Sequence, residues 1–171
     1  MLAIQLLKAS ISPYGRCNRT GLLHVTSALI AAQVLLSVLL WLAGSPTHGA
    51  FGLSFNAVLI WAGFCATAKR LHDIGLSAWW IPVFFASLIL WSFIQTFLLF
   101  MLIGPSILDI FHPMFWLSIA GILTPVLAVT IWLHYAPSDP QPNSYGLSPG
   151  ANGFSASSRP PVWQDTPSLN A

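Results

Sequence analysis

Charged residues are scarce in this sequence. Lys and Arg contribute six residues and Asp contributes four in a chain of 171, and Glu is absent. A soluble domain usually carries about a quarter charged residues, so the composition excludes an ordinary water-soluble fold. The net charge of +2 comes from scattered basic residues. It cannot supply the basic stripe that binds phosphates, which excludes a nucleic-acid-binding protein.

Cysteine pairs and catalytic motifs are also missing. Cys17 and Cys65 are the only cysteines and give no disulfide framework. The sequence contains no H-E-x-x-H, no G-x-S-x-G and no phosphate-binding G-x-x-x-x-G-K. We therefore predict no catalytic residues and no cofactor, and a non-catalytic protein is favoured over an enzyme.

Hydrophobic residues make up 56% of the chain and gather in four long runs. A helix needs roughly 20 mostly apolar residues to cross about 30 Å of hydrocarbon. The windows that meet this requirement are residues 22–42, 51–68, 78–103 and 114–134. The sequence therefore predicts an all-α polytopic membrane bundle of four transmembrane helices.

The segments on either side of the bundle differ in composition from it. Residues 1–21 form a short N-terminal arm ahead of the transmembrane domain, residues 22–135. Residues 136–171 are rich in Pro and Ser and have few aliphatic side chains to bury. This composition predicts a disordered C-terminal tail.

Basic residues flank only one side of the predicted bundle. Lys8, Arg16 and Arg19 precede the first helix, and Lys69 and Arg70 lie between the second and third. The two loops that would face the other way have none. By the positive-inside rule, both termini are predicted to lie in the cytoplasm.

Small and polar residues mark helix contacts in lipid, where close backbone approach and shared hydrogen bonds replace the hydrophobic effect. Gln33, Asn56 and Gln95 place one carboxamide in each of the first three helices. An unpaired amide in hydrocarbon is costly, so these residues are predicted to face the bundle interior. Gly52 and Gly63 share one face of the second helix with Asn56. The fourth helix has a similar set in Ser118, Gly121, Pro125 and Ala128.

Reactive residues are densest between the second and third helices, where residues 69–80 read KRLHDIGLSAWW. We interpret this segment as a helix-to-helix turn. Lys69 and Arg70 suit the negative end of a helix dipole. Gly75 suits the left-handed residue at a helix stop, and Ser77 is suited to cap the next helix.

His72 and Asp73 are the other polar residues of this turn. Adjacent His and Asp side chains can form an acid–base pair, half of a metal site or a turn hydrogen bond, and the sequence leaves these open. Trp79 and Trp80 are typical of the membrane–water boundary. A zinc site is a further alternative, although the spacing predicts none. Its ligands would come from His24, His72, His134, Cys17 and Asp73.

The segment 69–80 closely resembles the RLHD-x-G-x-SGWW signature of the domain of unknown function 805 family, small bacterial inner-membrane proteins. Residues 15–19, which include Gly15, Arg16 and Arg19, resemble the family's G-R-x-x-R element. Residues 138–146 resemble its G-x-N-x-Y-G-P tail, and the matching positions are Asn143, Tyr145 and Gly146. The resemblance implies a four-helix inner-membrane protein with cytoplasmic termini and no established activity.

All three motifs fall on the same predicted side of the membrane, so we expect them to form one cytoplasmic patch. The leading hypothesis is that Arg16, Arg19, Lys69 and Arg70 bind anionic lipid or a protein partner. Each basic residue near the surface contributes about 1 kcal/mol to lipid binding. Generic anchoring by positive charges and self-association are alternatives. A small-solute transporter or membrane enzyme is another, but no Asp, Glu, Lys or Arg lies within the four windows.

Overall fold

The computed structural model describes residues 11–44, 49–150 and 153–155. These ranges contain four long helices, α1 (Arg19–Leu42), α2 (Ala50–Ile74), α3 (Trp80–Ile103) and α4 (Pro113–Tyr135). A short 3-10 helix, Pro105–Leu108, lies between α3 and α4. The described residues contain no β-strand. Each of the four helices is long and apolar enough to cross a membrane. The prediction of an all-α, multi-pass membrane protein is confirmed.

The first two helices extend beyond their predicted windows. Asn18 caps α1, because its side-chain oxygen accepts a hydrogen bond from the Gly21 N–H at 2.9 Å. Lys69 to Asp73, interpreted from the sequence as a turn, instead complete the last turns of α2. Gly75 ends that helix at φ 89°, and its N–H is directed at the His72 and Leu71 carbonyls. The helix stop at Gly75 is therefore where the sequence predicts it.

The start of α3 differs from its prediction. Its capping residue is Trp79 rather than Ser77, and no side-chain cap bond is formed there. Pro82 lies in the first turn, where its missing N–H leaves no helical hydrogen bond unmade. The expectation that Ser77 caps this helix is wrong.

The chain divides into two compact units, unit 1 (residues 1–78 and 136–171) and unit 2 (residues 79–135). In unit 1, α1 packs against α2. A Cβ added to Gly63 would lie 3.9 Å from Leu29 Cδ1, an ordinary van der Waals distance, so Gly63 faces α1 but the contact does not require glycine. Buried side chains concentrate toward the start of α1 and the end of α2. The apolar ones are Leu22, Val25, Leu36, Ala62, Cys65, Ala66, Ala68 and Leu71.

In unit 2, α3 packs against α4. The side chain of Gln95 donates to the Ser118 carbonyl at 2.9 Å, and the Trp91 indole N–H donates to the Gly121 carbonyl at 3.1 Å. Most of the large apolar side chains of these helices are exposed in the protein. Exposed apolar faces of this length suit a lipid surrounding.

The residues predicted to pack the helices take different roles. Gln95 bonds the neighbouring helix, and Gly52 is buried in α2. Gln33 and Asn56 are half-buried, and within the described ranges neither side chain forms a hydrogen bond. Of the three carboxamides, Gln95 therefore forms the interhelical hydrogen bond.

The first part of the predicted disordered tail, residues 136–150, has no helix or strand. It nevertheless makes specific contacts. The Asp139 N–H donates to the Asp73 carbonyl at 2.8 Å, and Asn143 and Gly146 exchange backbone hydrogen bonds of 3.1 and 3.0 Å across a tight turn. This segment gains its order from polar contacts with the arm and α2.

Candidate functional site: a polar clasp at one end of unit 1

A carboxylate held between two guanidinium groups lies at the centre of the site. Asp73 Oδ1 is 3.0 Å from Arg16 Nη2, and Asp73 Oδ2 is 2.6 Å from Arg70 Nη1. Arg16 Nε also donates to Asp73 Oδ1 at 3.2 Å. All three side chains are 0% exposed. Both carboxylate oxygens of Asp73 are therefore engaged by guanidinium groups.

Local geometry explains how these three residues meet. Arg70 and Asp73 are three residues apart, which places them on one face of the last turns of α2. Gly15, at φ 100°, turns the arm toward this face. The Cys17 N–H then donates to the Lys69 carbonyl at 3.2 Å and fixes the arm against the helix.

The two arginines also bind the backbone of the tail. Arg16 Nη1 donates to the Gln141 carbonyl at 2.7 Å and to the Gly146 carbonyl at 3.4 Å, and Arg16 Nη2 donates to the Asp139 carbonyl. Arg70 Nη2 donates to the Ala136 carbonyl at 2.5 Å. Planar guanidinium groups present several N–H donors at once, which suits them to a curved run of carbonyls. We call Arg16, Arg70, Asp73 and residues 136–146 the clasp.

His72 and the tail turn form the outer part of the clasp. The rings of His72 and Tyr145 stack with centroids 3.9 Å apart and planes 3° apart. Asn143 Nδ2 donates to the His72 carbonyl at 3.0 Å. His72 Nδ1 lies 3.2 Å from the Gly15 carbonyl, and since a carbonyl can only accept, Nδ1 carries the proton. His72 therefore serves as a platform for the tail.

Cys17 lies beside the clasp and is 0% exposed. Burial and, to a smaller extent, the nearby Asp73 carboxylate raise the pKa of the Cys17 thiol to about 12, against the weaker opposite effects of Lys69 and Arg70. Cys17 therefore stays protonated at neutral pH. While it stays buried, Cys17 is neither a nucleophile nor a ready metal ligand, because both roles need the thiolate.

The structure brings most of the predicted site residues together. Arg19 adds one bond from the exposed rim, where its Nε donates to the Ala136 carbonyl at 3.1 Å. Lys69 is buried beside the arm. The members that meet in or next to the clasp are Gly15, Arg16, Arg19, Lys69, Arg70, His72, Asp73, Asn143, Tyr145 and Gly146.

Four predicted residues have other places. Gly75 terminates α2, and Ser77 lies in the connection that follows. Trp79 and Trp80 begin unit 2 and are 77% and 55% exposed. Exposed indole rings at the start of a helix are typical of the membrane–water boundary, where the sequence predicts Trp79 and Trp80 to lie.

Arg16 and Arg70 differ from the expectation that they contact lipid or an acidic partner directly. Both are fully buried, and they bond oxygens of their own chain. A side chain's partner depends on the folded arrangement, and a count of basic residues does not contain that information.

Several contributors were not expected from the sequence. The Ala136, Asp139 and Gln141 carbonyls bind arginines, and Ser138 Oγ accepts from Arg70 Nη1 at 3.0 Å. Backbone carbonyls carry no residue-specific signal. The proline-rich composition of the tail is the sequence signal that bears on them, because it predicts an extended backbone whose carbonyls have no internal hydrogen bonds.

The sequence leaves a zinc site as an alternative for these residues. Among the residues that the structure describes, no group of three or more His, Cys, Asp and Glu side chains is placed to hold a metal ion. The Asp73 side chain forms ion pairs with Arg16 and Arg70. The His72 ring is hydrogen-bonded to the Gly15 carbonyl and stacks on Tyr145.

The chain matches a known protein family. The model of a family described as "Protein of unknown function (DUF805)" matches residues 10–147, which include both arginines of the clasp and its tail turn. Neither a curated protein nor a solved structure matches the chain.

Proposed function

The chain belongs to the DUF805 family of proteins of unknown function, and we propose that it is a non-catalytic component of the bacterial inner membrane that binds anionic lipid at a cytoplasmic face. The observation that carries the proposal is the charge at the clasp end of unit 1. With histidine neutral, its four cations outnumber its two carboxylates. They are Arg16, Arg19, Lys69 and Arg70 against Asp73 and Asp139.

The same contacts support the proposed orientation of the chain. The arm and the tail both bond the end of α2, so the N-terminal and C-terminal segments meet on one side. The positive-inside rule assigns the side with the basic residues to the cytoplasm.

The buried and exposed arginines have different parts in lipid binding. Arg16 and Arg70 add positive charge close to the surface, and charge acts over a Debye length of about 8 Å at physiological ionic strength. Arg19 is exposed, and one of its five N–H donors is used by the Ala136 carbonyl. Arg19 is therefore the residue that contacts a lipid phosphate directly.

A test of lipid binding compares two variants at Arg19. Protein is extracted in mild detergent, and the anionic phospholipid that copurifies is quantified per mole of protein. Arg19→Gln is expected to retain about fivefold less, because a basic residue near the surface contributes about 1 kcal/mol. Arg19→Lys, which keeps the charge, is the matched control and should retain the wild-type amount. Equal retention by Arg19→Gln would contradict the proposal.

A test of orientation uses the whole chain with a reporter fused after Ala171. A fluorescent protein that folds only in the cytoplasm should fluoresce, and an alkaline phosphatase at the same position should be inactive. An active phosphatase would place the tail outside and overturn the cytoplasmic assignment.

A further inference from the structure

A short antiparallel pairing joins the arm to a later part of the tail. The Asn18 N–H donates to the Gly153 carbonyl at 3.0 Å, and the Ser155 N–H donates to the Arg16 carbonyl at 3.0 Å. The Arg16 N–H donates to Ser155 Oγ at 2.8 Å. Cys17 and Phe154 face each other in this bridge. Residues 153–155 thus occupy the backbone edge of the arm as an added strand would.

Two glycines shape the place where this segment lies. A Cβ added to Gly153 would lie 2.7 Å from both Cα and N of Gly21, and a Cβ added to Gly21 would lie 2.5 Å from the Gly153 carbonyl oxygen. These atoms belong to the backbone and cannot rotate away. Gly153 is also held at φ 88°, which disfavours any other residue. The edge therefore selects an extended segment with glycine at this position.

We infer that residues 16–18, together with Gly21, form a docking edge for an extended segment of a partner protein, and that Gly153–Ser155 is its built-in occupant. The partner segment has glycine opposite Gly21 and a hydroxyl residue two positions later, in place of Ser155. Recognition uses backbone hydrogen bonds and close glycine contact. It is thus independent of the lipid proposal.

The extent of the family match supports separating the edge from its occupant. Residues 16–21 lie inside the matched range 10–147, whereas Gly153–Ser155 lie beyond it. The edge is thus part of the family domain, and the segment that fills it here is outside that domain. A tethered segment competes with a free one, because a short linker holds it at an effective concentration in the millimolar range.

The edge is also connected to the clasp through one residue. Arg16 binds the segment 153–155 with its backbone and the Gln141 carbonyl with its side chain. Cys17, between Arg16 and Asn18, is 0% exposed opposite Phe154. Departure of the segment uncovers Cys17, whose labelling then reports whether the edge is filled.

The experiment measures binding of a fluorescent peptide with the sequence of residues 149–157 to full-length protein in detergent, by anisotropy. Gly153→Ala displaces the tethered segment, and the free peptide is expected to bind this variant about tenfold more tightly than wild type. Gly150→Ala makes the same change three residues earlier, at an exposed position without positive φ, and should behave as wild type. A peptide with Ala in place of the Gly153 residue should not bind.

The second measurement is the rate at which maleimide labels Cys17 in a Cys65→Ala background. Gly153→Ala should raise this rate at least about tenfold, and the wild-type peptide should restore protection. An unchanged rate would show that residues 153–155 do not cover the edge and would overturn the inference. Faster labelling without peptide binding or protection would also overturn it, because the segment would then be only structural. Lipid retention is expected to stay at the wild-type amount in Gly153→Ala, so failure here is distinguishable from failure of the lipid proposal.

Discussion

Charged side chains hold the clasp end of unit 1, whereas neutral side chains hold unit 2. Two arginines, one aspartate and a run of tail carbonyls meet in the clasp. In unit 2, two hydrogen bonds join α3 to α4, and in each a neutral side chain, Trp91 or Gln95, donates to a backbone carbonyl. Buried charge is tolerated only where many polar atoms surround it, and a non-helical segment with unused carbonyls supplies them. Within a hydrocarbon-spanning helix most carbonyls accept hydrogen bonds from the helix's own backbone, so few acceptors are left to surround a buried charge.

Pro125 explains why the Gly121 carbonyl accepts a hydrogen bond from Trp91. Proline lacks the N–H that would bond the carbonyl four residues earlier, which here belongs to Gly121. The Trp91 indole N–H takes that place at 3.1 Å. A backbone group left open by one helix is thereby satisfied by its neighbour.

The largest loss of stability is predicted for a substitution in the clasp. Asp73→Asn removes the negative charge between Arg16 and Arg70 and leaves two buried guanidinium groups without a counter-ion. Breaking a buried ion pair in this way costs about 3–5 kcal/mol of stability. The measurement is thermal unfolding in detergent, with the amount of protein in membranes as a second readout.

Asp109→Asn is the matched control for that change. Asp109 is exposed in unit 2, and its Oδ1 accepts from the Phe111 N–H at 3.0 Å, which an asparagine oxygen can also do. We expect its unfolding temperature to equal that of wild type. Equal losses in the two variants would mean that the charge of Asp73 has no special structural role.

A smaller effect is expected when the charge is kept and the shape is changed. Arg16→Lys retains the positive charge but cannot reach Asp73 and several tail carbonyls together. The loss of charge-assisted bonds should weaken the hold on the tail by about 2 kcal/mol. Brief chymotrypsin digestion measures this, because cleavage after Tyr145 follows the population of the released tail.

Arg19→Lys serves as the control for tail release, since Arg19 makes one bond to the tail, to the Ala136 carbonyl. Its cleavage rate should stay close to wild type. If Arg16→Lys is also cleaved at the wild-type rate, the guanidinium shape is not what retains the tail.

The smallest loss of stability is expected for a substitution in unit 2. Trp91→Phe keeps the ring but removes the bond to the Gly121 carbonyl, which should cost about 0.6 kcal/mol and at most about 1.7 kcal/mol. Unfolding in detergent measures the loss. Trp132→Phe, at a half-exposed position of α4, is the control and should cost less.

A double-mutant cycle sharpens this prediction. In a Pro125→Ala background the new Ala N–H can bond the Gly121 carbonyl, so Trp91→Phe should then cost less than it does in wild type. Equal costs in the two backgrounds would show that the proline and the indole act independently.

The fold was largely predictable, and the clasp was predictable only in part. Four apolar runs predict four helices because length and hydropathy alone decide whether a helix can span lipid. Gly75 predicts the end of α2 because its left-handed conformation is a local property. The three motifs around Arg16, Asp73 and Tyr145 could be grouped on one side by counting crossings. Which atom each side chain would bind could not be derived, because the acceptors are backbone carbonyls distant in sequence.

The sequence by itself determined that this is a membrane protein, since its four apolar runs are long enough to span hydrocarbon as helices that satisfy their own backbone hydrogen bonds. It also predicted that Arg16, Arg19, Lys69 and Arg70 lie at the same end of the bundle. The tertiary structure alone decided that Arg16 and Arg70 turn inward to Asp73 and the tail and leave Arg19 exposed. The reason is that a charge buried at the end of a helix needs oxygen partners, and only the folded chain brings those of residues 136–146 within reach.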